Sequence, residues 1–106
     1  MRKIKIYELY MNELKKWSNI NEVQKKAKKY LGNNVIIEPS TRKDKKYMVR
    51  DINNHIVHFG QMGYEDFTKH KDNDRRQNYL NRATNIKGDW KNNKYSPNNL
   101  SIHLLW

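Results

Sequence analysis

Apolar residues at Ile4, Tyr7, Met11 and Leu14 are spaced three, four and three apart, which lays one stripe along a helix from Ile4 to Trp17. Ser18 and Asn19 interrupt the stripe. Asn19, with Glu22 three residues on, has the pattern of a helix start whose side chains occupy the free amides of the first turn. A second stripe follows at Ile20, Val23, Ala27 and Leu31, and Gly32 stands where a helix can stop in a conformation other residues avoid. Lys25, Lys26, Lys28 and Lys29 fall mostly off that stripe. Residues 1–34 therefore predict a basic helical hairpin with a lysine-rich outer face.

Past Gly32 the period shortens. Val35, Ile36, Ile37 and Glu38 form a β-branched run closed by Pro39, the profile of an edge strand. Ser40 to Lys46 is a charged loop. Tyr47 to Asp51 and His55 to Phe59 read as two strands around Ile52-Asn53-Asn54, where asparagine tolerates the positive φ of a hairpin turn. Gly60 and Gly63 mark the end of the strand region. Asp72-Asn73-Asp74 supplies a cap for a helix carrying Arg75, Arg76, Tyr79, Leu80 and Ala83 to about Thr84. Asn85 to Tyr95 is irregular, with Trp90 as its large anchor. Ser96-Pro97 then has the form of a cap followed by proline at the first helical position, opening a short apolar helix with Leu100 and Leu104. The expected fold class is α+β: an N-terminal helical hairpin, a small antiparallel β-meander and two C-terminal helices. Residues 1–106 are expected to form a single domain, with 35–106 as the α+β core.

Composition narrows the chemistry. The chain has no cysteine, which removes disulfides, thiolate metal sites and cysteine catalysis. No apolar run approaches the roughly 20 residues that span a bilayer. Glu8, Asn12 and Glu13 break up the basic start, so it does not read as a signal peptide, and a protein that is not secreted is expected. Lys and Arg number 22 against 11 Asp and Glu, a formal charge of +11. Residues 1–46 hold 13 of those cations and 5 of the acids, so the excess is concentrated in the first half. Sixteen lysines to six arginines, with fifteen asparagines, also fit coding in an AT-rich genome, which inflates Lys and Asn without functional demand.

The second half carries a resemblance. Its residues are Lys46-Tyr47 to Asp51, then Val57-His58-Phe59-Gly60-Gln61-Met62-Gly63-Tyr64-Glu65-Asp66-Phe67-Thr68-Lys69-His70-Lys71-Asp72, then Arg75-Arg76 and Tyr79-Leu80-Asn81-Arg82. Trp90, Ser96-Pro97 and Leu104-Leu105-Trp106 continue it. Residues 46–106 thereby resemble a family of small, functionally uncharacterised proteins of giant nucleocytoplasmic large DNA viruses and some large phages. The resemblance implies a viral origin and small size, and no activity.

Catalytic and metal-binding patterns are weak. His70-Lys71-Asp72 is contiguous, unlike the spaced residues of the phosphodiesterase motif it superficially matches. His55 and His58, three apart on a strand, face opposite sides and make a poor metal pair. His103 has no evident partner. No glycine-rich phosphate loop or nucleophile elbow is present. An enzyme using His58 or His70 with Asp66 is the weakest reading, and neither metal nor cofactor is expected.

Positive charge is the stronger signal. Arg75 and Arg82, seven apart, share a helical face with Arg76 beside them, and guanidinium matches phosphate oxygens in a two-pronged fork. The structural alternative is that Asp72 and Asp74 cap the helix while Arg75 and Arg76 pair with Glu65 or Asp66. Lysines from Lys15 to Lys29 and the loop from Arg42 to Lys46 suit sequence-independent backbone contacts. Trp17, Tyr30 and Tyr47 lie nearby and suit either base stacking or, from their places on apolar stripes, core packing. The expected function is non-catalytic, non-specific nucleic-acid binding, to DNA or RNA, through phosphate contacts by a small viral protein of the virion or infected-cell cytoplasm. The candidate contacts are Lys25, Lys26, Lys28, Lys29, Arg42, Lys43, Lys45, Lys46, Lys69, Arg75, Arg76 and Arg82. The alternative is a minor capsid or assembly protein that docks on a larger viral structural protein through an apolar C-terminus, Leu104, Leu105 and Trp106.

Overall fold

A computed structural model describes the backbone of residues 2–106 and the side chains of residues 8–106. Helix α1 spans Arg2–Trp17 and α2 spans Ile20–Leu31. Of the first apolar stripe, Leu14 is buried and Met11 half-buried, whereas Ile4 and Tyr7 lie outside the described side chains. Of the cap expected at Asn19 and Glu22, the first half forms: the Asn19 side-chain oxygen accepts from the Glu22 amide at 3.2 Å, whereas the Asn19 amide donates to Thr68 and the Glu22 carboxylate pairs with Lys71. Gly32 ends α2 with φ +117°, its N–H donating to the Lys28 carbonyl.

Three antiparallel strands follow in the order β1-β2-β3: β1 Glu38–Pro39, β2 Lys45–Arg50 and β3 Ile56–Gln61. Tyr47 sits opposite Phe59 and Val49 opposite Val57, so their side chains share one face and enter the core. Asn54 has φ +65°, and the Asp51 carboxylate accepts from the Asn53 and His55 amides, which fixes the hairpin turn. The expected strand over Val35–Ile37 is displaced. Gln24 on α2 donates to the Val35 carbonyl and accepts from the Ile37 amide, so a side-chain amide takes the backbone groups a neighbouring strand would have used.

The C-terminal half opens with a single turn, α3 Phe67–His70, that periodicity did not predict. Helix α4, Asn73–Thr84, starts at Asp72, which accepts from the Asp74 and Arg75 amides. A 3₁₀ turn at Trp90–Asn92 leads to α5, Pro97–Leu100, capped by Ser96, and then to wider π-type turns over Ser101–Leu105. Buried Asn99 donates to the carbonyls of Trp90 and Asn93 and ties the preceding loop to α5. The fold is α+β: two N-terminal helices, a three-stranded antiparallel sheet, then C-terminal helices.

Leu14, Val23, Ala27, Tyr47, Val49, Phe59, Leu100, Leu104 and Leu105 form one buried cluster. Leu104 and Leu105 are therefore not a docking surface. The apolar stripe of α2 and the inner face of the sheet both need a cover, and the last turns of the chain supply it. Trp106 is half-buried and stacks on Tyr79, with ring centroids 4.2 Å apart.

A second correction concerns Lys46, which lies in the interior. Its ammonium donates to the Tyr64 carbonyl at 2.5 Å and to the Asp66 carboxylate at 3.1 Å. Asp66 also accepts from the Thr68 hydroxyl. Thr68 in turn meets Ser18 and accepts from the Asn19 amide, and the Tyr47 hydroxyl donates to Ser18 at 2.7 Å. This knot joins the α1–α2 turn to β2 and to the start of α3. Burial pushes the Lys46 ammonium below its usual pKa while Asp66 opposes the shift, and burial raises the Tyr47 phenol. Gly60 makes room beside the knot: its φ is +82°, and a Cβ there would stand 2.9 Å from Leu105 Cδ1 and 3.1 Å from Lys46 Cβ.

Candidate nucleic-acid interface

The remaining candidate cations reach the surface in separate groups. Lys25, Lys28 and Lys29 are exposed on α2 because its buried positions, Val23 and Ala27, turn the other face inward. Arg42 and Lys43 are exposed in the loop before β2, where Ser40 binds the Arg42 amide and His58. His58 is thus a partner for a loop serine. Lys69 is exposed on α3 and shares a shallow surface depression with Lys15.

Two groups are assembled by the fold. In the first, Lys26 Nζ, Lys71 Nζ and the Arg76 guanidinium lie 5.8, 5.5 and 5.4 Å from the centre of the Phe67 ring. Lys71 is paired with Glu22, and Arg76 donates to the Trp106 carbonyl at 2.8 Å. Burial lowers the pKa of half-buried Lys26; Glu22 opposes this, and Lys71 and Arg76 add to it. Lys71 was absent from the sequence-derived set, and its place beside Phe67 comes from the left-handed turn at Lys71 itself, φ +57°.

The second group lines an open groove of about 770 Å³ between α4, the turn after β3 and the C-terminal segment. Arg75, Asn78, Tyr79 and Arg82, spaced three, four and seven from the first, present one face of α4 to it. Lys45, half-buried at the start of β2, adds a third cation. Arg75 is paired with Glu65 at 3.3 Å, and this pair is exposed. The groove's aromatic lining is buried Phe59 with Tyr64, Tyr79 and Trp106, none of which the sequence marked for base stacking. Of the aromatic residues near the lysines, Tyr47 and Tyr30 pack in or against the core, as their places on apolar stripes predict. Tyr47 is buried, Tyr30 stacks on His103 at 4.2 Å, and Trp17 donates its ring N–H to Glu13.

Among the described residues no group of three or more His, Asp or Glu side chains is gathered closely enough to hold a metal ion. No described helix is long and apolar enough to cross a membrane.

A family of unknown function, DUF5754, matches residues 35–83. The match runs from the segment held by Gln24 through the sheet and α3 to near the end of α4. It includes both members of the Lys46–Asp66 pair and the groove residues Lys45, Tyr64, Arg75, Tyr79 and Arg82. It begins at Val35 and shares residues 46–83 with the stretch whose resemblance the sequence carries. No curated protein and no solved structure matches the chain.

Proposed function

We propose that this is a small, non-catalytic protein that holds nucleic acid through phosphate contacts, without sequence preference. In this reading the polyanion is the genome or transcripts of a large DNA virus or phage, met in the virion or the infected cell, and the resemblance of residues 46–106 supports it. The observation that carries the reading is the pattern of ion pairing. Among the described residues, only Lys46 and Arg75 of the candidate cations have an Asp or Glu carboxylate within 4 Å, and Arg76 donates to the Trp106 main-chain oxygen. A surface whose cations served mainly to neutralise neighbouring acids would not leave Lys25, Lys28, Lys29, Lys45 and Arg82 without such partners. Coding bias toward lysine also does not account for Arg75, Arg76 and Arg82, half of the chain's arginines, on one 12-residue helix.

Reversing Lys25, Lys28, Lys29 and Arg82 to Glu is expected to weaken duplex binding at least tenfold, on the order of several lost phosphate contacts. Unchanged affinity in a filter-binding or anisotropy titration overturns the reading. The alternative, docking through an apolar C-terminus, draws no support from Leu104 and Leu105, which are core residues.

A further inference from the structure

We infer that the groove beside α4 receives unpaired nucleotides, with Tyr64 stacking on a base and Lys45, Arg75 and Arg82 holding the adjoining phosphates. The inference rests on the nucleic-acid reading above and specifies the form of the ligand.

Tyr64 is 69% exposed, although a tyrosine ring is among the groups that gain most from burial. Its backbone is nonetheless held firmly. Gly63 precedes it at φ +93°, and the Tyr64 carbonyl accepts the buried Lys46 ammonium. The backbone is thereby anchored at the groove while the ring stays exposed. Exposed Ile86 and the stacked Tyr79–Trp106 pair add apolar surface to the same groove. Besides Lys46, whose ammonium is held inside by Asp66, three cations line this surface against one carboxylate, Glu65, which Arg75 already engages.

An apolar peptide would cover the rings but strip water from the cations without replacing it. A duplex would satisfy the cations but keep its base faces stacked on one another, leaving the rings idle. A single strand satisfies both, because each unpaired base has an open π-face and each linkage a phosphate. The volume falls within the roughly 300–1,000 Å³ common for sites that enclose small ligands, enough for a short stretch of strand.

The test is an anisotropy titration of the full chain against labelled oligo-dT and a labelled duplex of equal length. The proteins compared are the wild type, Tyr64→Ala, Tyr64→Phe and the Lys25/Lys28/Lys29→Glu variant. Tyr64 side-chain replacement leaves the carbonyl that binds Lys46, and circular dichroism melting checks that the fold is kept. The wild type is expected to prefer the single strand. Tyr64→Ala is expected to weaken that binding by about fivefold or more and duplex binding by less than about twofold, while Tyr64→Phe restores it. Equal affinity of Tyr64→Ala and wild type for oligo-dT overturns the inference. So does a wild type that holds the duplex as well as the single strand. If in either case the lysine reversals still weaken binding, the phosphate-contact reading survives without the groove. A wild type that binds neither probe overturns both.

Discussion

Two neighbouring carboxylates, Glu65 and Asp66, hold two cations in opposite circumstances. Asp66 and Lys46 have side-chain exposures of 1% and 3%, and their remaining polar atoms bind Tyr64 and Thr68. Glu65 and Arg75 are 35% and 49% exposed and meet through one contact at 3.3 Å. Charge of the same kind is structural in the first case and exchangeable in the second. A buried pair is costly to break because the survivor is left charged without water, whereas an exposed pair is worth roughly 0–1 kcal/mol and yields readily to a competing anion. The same contrast separates adjacent lysines: the Lys46 ammonium is held inside by Asp66, whereas half-buried Lys45 lines the groove with no carboxylate partner.

The largest expected effect comes from breaking the buried pair. Asp66→Ala strands the Lys46 ammonium and removes the acceptor of Thr68, and should lower unfolding free energy by about 3–5 kcal/mol in urea denaturation. A loss below about 1 kcal/mol would place Lys46 in contact with water and dissolve the contrast. Next is Gly60→Ala, which meets Leu105 and Lys46 at a positive φ and should cost about 1–3 kcal/mol. A wild-type melting temperature in that variant would show that the groove floor is loosely packed.

A smaller effect follows from the imidazoles. Burial lowers the pKa of His70 below 6.5, with Arg75 adding to the shift, and burial lowers that of His103. His70 Nδ1 accepts from the Asp72 amide at the start of α4, between the rings of Phe67 and Trp106. With both folded-state values depressed, the unfolded chain binds protons first. Stability is therefore full above about pH 6.5 and falls as pH drops from there through the folded-state values. The melting temperature should decline from pH 7 to pH 5, and His70→Gln should shrink the decline; an equal decline in that variant removes His70 from the account.

The smallest effect sits on the exposed pair. Glu65→Gln should change stability by less than about 1 kcal/mol while tightening nucleic-acid binding, because Arg75 is released. Weaker binding in that variant would mean that Glu65 positions Arg75 rather than occupying it.

What was legible in the sequence is what local chemistry decides. Asn19, Asp72, Ser96-Pro97 and Asn53-Asn54 each state a cap or turn within four residues, and each forms. Where a distant residue decides, the pattern misleads. Val35–Ile37 reads as a strand until Gln24 reaches it, and Lys46 reads as a surface lysine until Asp66, twenty residues on, meets it inside. Of the two roles open to Tyr47 and Tyr30, packing is the one they take. Tyr47 and Tyr30 find partners in Ser18 and His103, whereas exposed Tyr64 owes its backbone position to a glycine turn and to a bond made by that backbone. Side-chain spacing carries no trace of that bond.

The most direct measurement is the affinity for a DNA duplex across a salt series, for the wild type and Arg82→Gln. The account predicts a straight line of log affinity against log salt whose slope reflects several released counterions, at about 0.9 per phosphate. For Arg82→Gln the slope should be smaller by about one contact. Negligible binding near about 0.15 M salt, or affinity that does not respond to salt, would contradict it and leave the unpaired surface cations without a polyanion to hold.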